Sequence, residues 1–314
     1  MAEKKATREA YGKALVELAD KYDFVVLDAD LAEATKTVMF KKAHPERFFD
    51  CGIAEGNMMS VAAGFAAAGK TVFASSFAMF AAGRAFEQIR NSIGYPALNV
   101  KIGATHAGLT VGEDGATHQC LEDIALMRTI PGMTVISPAD ANEAYLAVEA
   151  AINHKGPVYL RFGRYAVPNL SPELPGYSFE IGKGVVCKDG DDVTLVATGF
   201  TVHLAIEASE ILEADGIRAR VINIHTVKPI DKELLAKAAM ETGAVVTAEE
   251  HNVIGGLGSA VCEAISESCP VPVLRVGTQD EFGKSGQVPE LLKMYGLTAE
   301  NIADTAKRAV KMKK

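Results

Sequence analysis

Short apolar runs with strand periodicity alternate with amphipathic helical patterns along most of this 314-residue chain. In the first half the strands are expected at residues 24–28, 71–74, 98–103, 133–137 and 158–162. The helices between them are expected at residues 8–22, 57–68, 80–93 and 139–153. Such alternation is typical of a largely parallel sheet with helices on both faces.

A stretch rich in proline and glycine interrupts this pattern, and a second α/β segment follows it. The second segment repeats the style, with strands expected at residues 193–197, 219–224, 245–248 and 273–276 and helices at 202–214, 231–242, 258–268 and 299–312. We therefore place one domain at residues 1–168, a linker at 169–184 and a second domain at 185–314. The predicted fold class is α/β, with two doubly wound domains.

Composition excludes several classes of protein. The chain is 48% hydrophobic and 23% charged, as soluble globular proteins are. It has no apolar run of membrane-spanning length, and its N-terminus lacks the apolar core of a secretory signal, so a cytoplasmic location is expected. The net charge of −8 argues against a nucleic-acid-binding face. Five scattered cysteines without a Cys-x-x-Cys pair predict neither a disulfide framework nor a zinc site.

The strongest functional signal is the segment 106–118, HAGLTVGEDGATH. It holds two imidazoles, a Glu-Asp pair and three glycines, without helical or strand periodicity. Each of these polar groups would need a partner if buried. The glycines indicate unusual backbone angles or the close approach of a ligand. The segment is either a polar ligand site or a solvated surface loop.

Glu55 lies between an expected strand at residues 48–51 and a helix rich in small residues. Open α/β sheets place ligand chemistry at such strand ends, and a carboxylate there can transfer protons. The alternative role is stabilisation of the helix N-terminus. Phe77, Phe80 and Phe86 follow, and the spacing of the first two matches one helical face. Core packing is the default interpretation, and an aromatic wall for a planar ring is the alternative.

Three arginines, Arg8, Arg161 and Arg164, are candidate anion binders. Arg164 follows an expected strand, where a planar guanidinium could grip a phosphate. Surface salt bridges are the alternative for each of the three. Two glycine motifs are incomplete: GGLGSA at residues 255–260 lacks the spacing of a dinucleotide fingerprint, and GEDG at 112–115 lacks the Asn-Asn half of a magnesium motif. We assign no metal ligand to this chain.

Taken in order, these segments resemble the C-terminal half of the transketolases, a pyrimidine-binding domain followed by a C-terminal domain. The resemblance covers essentially the whole chain. It rests on GIAEGN around Glu55, SSFAMF with AFEQIR, GEDGATHQ, and more weakly on ISPAD and DVTLVATG. It implies a transferase of the pentose phosphate pathway, which moves a two-carbon ketol unit from a ketose phosphate to an aldose phosphate.

The resemblance also implies a cofactor and a partner. Transketolases use thiamine diphosphate, whose diphosphate and divalent metal are gripped by an N-terminal domain that this sequence lacks. The chain therefore resembles one subunit of a split transketolase. A separate N-terminal subunit would hold the diphosphate with Mg²⁺ or Ca²⁺, and an α2β2 heterotetramer is the expected assembly.

Residue roles follow from the resemblance alone. Glu55 matches the glutamate that hydrogen-bonds N1′ of the aminopyrimidine, Phe77 and Phe80 match the aromatic pocket around that ring, and Asp30 matches a carboxylate near the cofactor. Gly83 stands where the family often has a further pocket tyrosine.

The resemblance also assigns a substrate channel. His118, the second catalytic residue, would contact the C1 hydroxyl or carbonyl of the ketose. Asp114 would bind a sugar hydroxyl, and His106 would lie towards the phosphate end. Arg8 and Arg164 match the two phosphate-binding arginines, and Thr35 is the nearest counterpart of the serine or threonine that joins them.

Three other functions are weighed against this one. The β subunit of a 2-oxoacid dehydrogenase has similar length and plan, but its site has no sugar hydroxyl for Asp114 to bind. A 1-deoxyxylulose-5-phosphate synthase is usually one long chain. A non-catalytic paralogue would have no need to retain Glu55, His106 and His118 together.

Overall fold

The computed structural model describes residues 4–313 and arranges their strands in three sheets. The strands are β1 (Lys4–Ala6), β2 (Phe24–Asp28), β3 (Phe48–Asp50), β4 (Thr71–Phe77), β5 (Val100–Thr105), β6 (Thr134–Ile136), β7 (Val158–Arg161), β8 (Ala166–Pro168), β9 (Val185–Lys188), β10 (Val193–Ala197), β11 (Ala219–Asn223), β12 (Thr226–Lys228), β13 (Val245–Asn252) and β14 (Val273–Thr278). The helices are α1 (Thr7–Leu18), α2 (Ala32–Thr35), α3 (Val38–Ala43), α4 (Glu55–Ala67), α5 (Phe86–Gln88), α6 (Asp123–Thr129), α7 (Ala141–Asn153), α8 (Thr201–Ala214), α9 (Lys232–Thr242), α10 (Leu257–Ser266), α11 (Val288–Met294) and α12 (Ala299–Lys311).

The seven-stranded sheet has the order β12-β6-β7-β5-β4-β2-β3. Strands β2 to β7 run parallel to one another, and every side chain of β2, β5, β6 and β7 is buried. Phe24 and Val26 of β2 pack with α1 and α7, whereas Val25 and Leu27 pack with α4. This alternation covers both faces of the sheet with helices, and the predicted doubly wound α/β class is confirmed.

The five-stranded sheet, in the order β14-β13-β10-β11-β9, is parallel except for the edge strand β9. Helices α8 and α12 pack on one face, and α9 and α10 pack on the other. The side chains of α9 and α10 belong to the same apolar cluster as α4 and β4 of the first sheet. The two halves of the chain therefore share a continuous core.

Strand β12 crosses from the second half of the sequence into the first sheet, where it pairs antiparallel with β6. The sequence did not predict this strand, because its three residues come directly after the longer expected strand at 219–224 and show no periodicity of their own. It attaches the C-terminal half directly to the edge of the first sheet.

The expected linker at 169–184 is held by buried acids of the first half. Asp140 accepts hydrogen bonds from the backbone N–H groups of Leu170 and Ser171, at 2.8 and 2.6 Å. Glu143 accepts one from the Tyr177 hydroxyl at 2.6 Å and one from the Asn223 amide at 2.8 Å. Burial raises the pKa of Glu143 to about 7. Glu143 thus joins a helix, the linker and the second sheet.

The segment predicted as one helix at 80–93 departs from a regular α-helix. It consists of two π-helical stretches, Met79–Arg84 and Ile89–Gly94, on either side of the short helix α5. A π turn is wider than an α turn, so side chains do not keep the expected 3.6-residue spacing. A Cβ atom on Gly83 would overlap the terminal methyl of Met79, the end of a flexible side chain that would have to move aside. Within residues 4–313, no helix is both long enough and apolar enough to span a membrane.

Candidate active site

Glu55 is the first residue of α4 and lies just beyond the carboxyl end of β3. Its side chain is only 2% exposed, and its Oε2 atom accepts a hydrogen bond from Nη1 of Arg84 at 3.0 Å. The same guanidinium lies over the Phe80 ring, with its carbon 4.6 Å from the ring centroid. Sequence analysis did not single out Arg84, because Arg84 and Glu55 are 29 positions apart and meet only in the fold.

Four aromatic side chains from the carboxyl ends of β4 and β5 and the segment after them form one cluster. The Phe77 ring stacks on His106 at 3.8 Å and on Phe80 at 5.7 Å between centroids. His118 meets Phe80 edge-on at 5.2 Å. Adjacent parallel strands end at the same edge of a sheet, which is why residues far apart in sequence meet here. The structure brings Phe77, Phe80, His106 and His118 together.

A cavity of about 800 Å³ opens beside this cluster. Phe80 and Arg84 line it, with Met79, Gly83, Leu126 and Phe282 supplying most of the apolar wall. Phe77 is 7% exposed and lies behind Phe80, covered on one side by His106. Phe80 is therefore the aromatic face that the cavity presents, and Phe77 supports it.

His106 is held in one orientation and one protonation state. Its backbone has a positive φ of 56°, its Nδ1 atom lies 2.9 Å from the Thr105 hydroxyl, and its Nε2 atom lies 3.0 Å from Nη1 of Arg8. Because a guanidinium can only donate, Nε2 accepts and the proton of the neutral ring is on Nδ1. Burial, followed by the charges of Arg8 and Arg164, lowers the pKa of His106 to about 3.

Arg8 and Arg164 line a second cavity of about 330 Å³. Arg8 donates to the Ala34 carbonyl at 3.0 Å, and Arg164 donates to the Val111 carbonyl at 2.5 Å. The Asp114 carboxylate is 3.9 Å from the Arg164 guanidinium. The two guanidinium groups share one small volume. Burial, followed by the charge of Arg164, therefore lowers the pKa of Arg8. Such a cavity suits a terminal anion.

Arg161, the third candidate anion binder, has a different role. Its side chain is 5% exposed, and its Nε atom donates to Asp123 at 2.8 Å. Its Nη2 atom donates to the Glu250 carbonyl at 2.9 Å. Of the two interpretations given for Arg161, the structure favours the salt bridge, which it makes with the buried Asp123.

Asp30 and Thr35 lie on the segment between β2 and α3. Asp30 is exposed with a positive φ of 61°, and its backbone N–H donates to Asp50 at 3.2 Å. Thr35 has no exposed surface, and its hydroxyl donates to the buried Asp28 carboxylate at 2.8 Å. Burial raises the pKa of Asp28 to about 6. Thr35 thus supports this segment from inside and does not face the arginine cavity.

The GGLGSA motif begins α10, and a side chain of the protein occupies the helix N-terminus. Glu249 accepts hydrogen bonds from the N–H groups of Leu257 and Gly258 at 2.6 and 2.9 Å. A Cβ atom on Gly256 would overlap this carboxylate. The glycine therefore allows the close approach of Glu249, which leaves no room for a diphosphate.

Comparison with known proteins places this geometry in a family. Residues 3–169 match the model of the transketolase pyrimidine binding domain, and residues 182–302 match that of the transketolase C-terminal domain. A putative transketolase C-terminal section from Methanocaldococcus jannaschii is 52% identical over 95% of this chain and 94% of its own length. A 6-deoxy-6-sulfo-D-fructose transketolase subunit from Clostridium sp. (strain MSTE9) is 44% identical over 98% and 95%, respectively.

A solved structure agrees with these relatives. It is described as a split gene transketolase in an inactive β4 tetramer, and it is 56% identical to this chain with a TM-score of 0.92. The superposition covers 98% of this chain and 99% of that one. The chain belongs to the transketolase family, as the C-terminal section of a split transketolase, and membership of this family implies dependence on thiamine diphosphate.

Proposed function

We propose that this chain forms half of an active site that transfers a two-carbon ketol unit from a ketose phosphate to an aldose phosphate. The observation that carries the proposal is the arrangement of two cavities. One is lined by Phe80 and by Arg84, the ion-pair partner of the buried Glu55 carboxylate, and the other is lined by paired arginines. The His106–Phe77 stack connects the two, since His106 contacts Arg8 and Phe77 contacts Phe80.

The first cavity fits the aminopyrimidine end of thiamine diphosphate. Phe80 offers a planar face, and Glu55 offers a buried acceptor that now holds the Arg84 guanidinium. We propose that Glu55 holds a proton at N1′ of the ring while Phe80 stacks on the ring. When bound, thiamine diphosphate supplies the nucleophilic carbon that adds to the ketose carbonyl. Met79, Leu126 and Phe282 give the wall of the site an apolar surface.

The second cavity and the segment beside it fit a sugar with an anionic end. We assign the terminal phosphate to Arg8 and Arg164, a sugar hydroxyl to Asp114, and the C1 end of the ketose to His118, which lies against Phe80. Neutral His106 positions Arg8 through Nε2. Asp30 is placed near the cofactor at the subunit interface. Because Thr35 is buried against Asp28, it is omitted from the substrate contacts.

The remaining parts of the site are assigned to a partner. An N-terminal transketolase subunit would hold the diphosphate and Mg²⁺ or Ca²⁺, and the two chains would form a cytoplasmic α2β2 heterotetramer in the pentose phosphate pathway. Within this chain we place the pyrimidine-binding domain at 1–168, a linker at 169–184 and the C-terminal domain at 185–314. The family matches over residues 3–169 and 182–302 support this division.

Glu55→Gln tests the proposal at its acid–base group. In the reconstituted two-subunit enzyme we expect kcat to fall by roughly 10²–10⁴-fold, because glutamine cannot hold and release the N1′ proton. The measurement is steady-state ketol transfer, with circular dichroism to verify the fold. Glu267→Gln, at an exposed position of the C-terminal domain, is the matched control and should leave the rate unchanged. A Glu55→Gln enzyme with the wild-type rate would remove Glu55 from the mechanism.

A further inference from the structure

The segment that carries His106, Asp114 and His118 is anchored on the C-terminal domain. Its Thr110 N–H donates to Oε1 of Glu250 on β13 at 2.5 Å. The Gln119 amide donates to the Lys284 carbonyl at 2.9 Å and also to the Gly112 carbonyl at 3.1 Å. The bonds to Glu250 and Lys284 connect residues more than a hundred positions apart in sequence, so these two are tertiary contacts between the two domains.

The three glycines of this segment allow that contact. Gly108, Gly112 and Gly115 all have positive φ, at 82°, 81° and 74°. A Cβ atom on Gly108 would overlap the Glu250 side chain, and one on Gly112 would lie 3.2 Å from Val288 of the C-terminal domain. Sequence analysis attributed these glycines to the close approach of a ligand. In the structure, the C-terminal domain is what approaches them closely.

Glu113 receives the outermost contacts. Its carboxylate Oε1 accepts a hydrogen bond from the Gln287 side-chain amide at 2.6 Å, and its backbone carbonyl accepts one from the Ser285 hydroxyl. Glu113 of the first domain and Gln287 of the C-terminal domain both line the arginine cavity. The wall of the cavity that faces Arg8 and Arg164 is therefore completed by the C-terminal domain.

One carboxylate, Asp114, already lies 3.9 Å from Arg164, so a second one in the cavity wall must be kept away from the arginines. An unrestrained Glu113 could pair with Arg8 or Arg164 and would repel a phosphate dianion. The Gln287 amide is neutral, so it can hold the carboxylate without adding a second charge to the cavity.

We infer that Gln287 is a positioning residue of the substrate site: by holding Glu113 against the C-terminal domain, it keeps the two arginines available for the terminal anion of the sugar. This inference rests on the proposed function, since it assigns a role within that substrate cavity. It gives the C-terminal domain a part in selecting anionic substrates.

Gln287→Glu tests the inference in the reconstituted enzyme. Two facing carboxylates repel each other, so we expect the KM for a phosphorylated ketose to rise about tenfold, with kcat within twofold of wild type. The KM for the matching unphosphorylated ketose should not change. Glu290→Ala, at an exposed position on helix α11, which Gln287 directly precedes, is the matched control. Gln287→Ala, which removes the amide without adding charge, should give a smaller rise.

Exchanging the two side chains across the domain boundary should rescue the KM. In the double variant Glu113→Gln with Gln287→Glu, an amide again donates to a carboxylate across the domain boundary, so the KM should return towards wild type. A double variant with the same KM as Gln287→Glu would show that the bond does not position the cavity. An equal rise of KM for phosphorylated and unphosphorylated sugars would overturn the inference as well.

A second readout needs no activity. In the isolated chain, hydrogen–deuterium exchange of the amides at residues 109–115 should be faster in Gln287→Glu than in wild type, and unchanged in Glu290→Ala. If exchange is faster while the reconstituted wild type shows no ketol transfer, the proposed function fails and the anchoring stands. If exchange at these amides equals that of wild type, the anchoring by Gln287 is wrong.

Discussion

At the scale of single residues, the proposed site contains charged groups that already have partners within the chain. The Arg84 guanidinium donates a hydrogen bond to Glu55 at 3.0 Å and lies over the Phe80 ring at 4.6 Å. These are the same two contacts that we assign to the pyrimidine ring of the cofactor. A ring that stacks on Phe80 and hydrogen-bonds Glu55 must therefore displace this guanidinium. The Arg84 side chain is 55% exposed, so it can move into solvent without losing a buried environment.

The low pKa of His106 leads to a prediction about pH. Since its pKa is lowered from 6.5 to about 3 in the folded chain, its imidazole should not titrate between pH 8 and pH 5. Below pH 6.5 the unfolded chain binds a proton at this residue that the folded chain does not bind, so His106 makes the fold less stable as the pH falls from about 6.5 to 3. Imidazole NMR spectra of wild type and of a His106→Gln variant identify the resonance and follow it.

Arg8→Met is the informative comparison for that titration. Removing one positive charge 3.0 Å from Nε2 should raise the pKa of His106, while burial keeps it below the ordinary value. Titration of the His106 resonance near pH 6.5 in wild type would contradict the assigned neutral ring.

The individual site residues were predictable where local chemistry distinguished them. The polar, glycine-containing segment 106–118 stood out because its composition suits neither a helix nor a strand. Arg84, Glu250 and Gln287 were missed, because an arginine, a glutamate and a glutamine in ordinary contexts become informative only when the fold brings Glu55, Thr110 and Glu113 to them.

At the scale of elements, helix α1 fits closely against the segment that carries Asp30 and Thr35. A Cβ atom on Gly12 would lie 2.6 Å from the Lys36 carbonyl oxygen, and Lys36 has a positive φ of 72°. The backbone at Lys36 therefore has little freedom to move away. This contact fixes the carbonyl of Ala34, which accepts the hydrogen bond from Arg8.

Gly12→Ala should destabilise the chain by about 1–3 kcal/mol, because overpacking outweighs the better helix propensity of alanine. Gly64→Ala is the matched control on α4, since a Cβ atom there meets nothing within 4 Å. That variant should gain about 0.5–1 kcal/mol. Urea unfolding of both variants measures the difference, and equal stabilities would show that the segment yields freely to the new methyl group.

Mostly apolar strands were predicted best, and short strands only in part. The expected strands 24–28 and 193–197 coincide with β2 and β10 at both ends, and the three-residue strands β3 and β6 fall within expected strands as well. Strands β1, β8 and β12 have three residues each, so their pairing depends on tertiary position. The π-helical stretches at 79–84 and 89–94 were predicted as one α-helix, because apolar periodicity does not distinguish the two.

At the scale of the whole molecule, the two domains are joined more closely than a linker implies. Four features cross the boundary between them: the shared core, the pairing of β12 with β6, the hydrogen bonds of Glu143, and the anchoring of the 106–118 segment. The sequence predicted two domains from the interruption at 169–184, but it carried no signal for these contacts. The site consequently depends on both domains of this chain and, in our proposal, on a second chain.

In our proposal, this chain completes a ketol-transferring site only with a separate N-terminal transketolase subunit. The direct measurement is transfer from a ketose phosphate to an aldose phosphate by each purified subunit alone and by the mixture, with thiamine diphosphate and Mg²⁺ present throughout. We predict turnover in the mixture and none above background in either subunit alone. Turnover by this chain alone at the rate of the mixture, or an inactive mixture in which the two subunits form a stable complex, would contradict the claim.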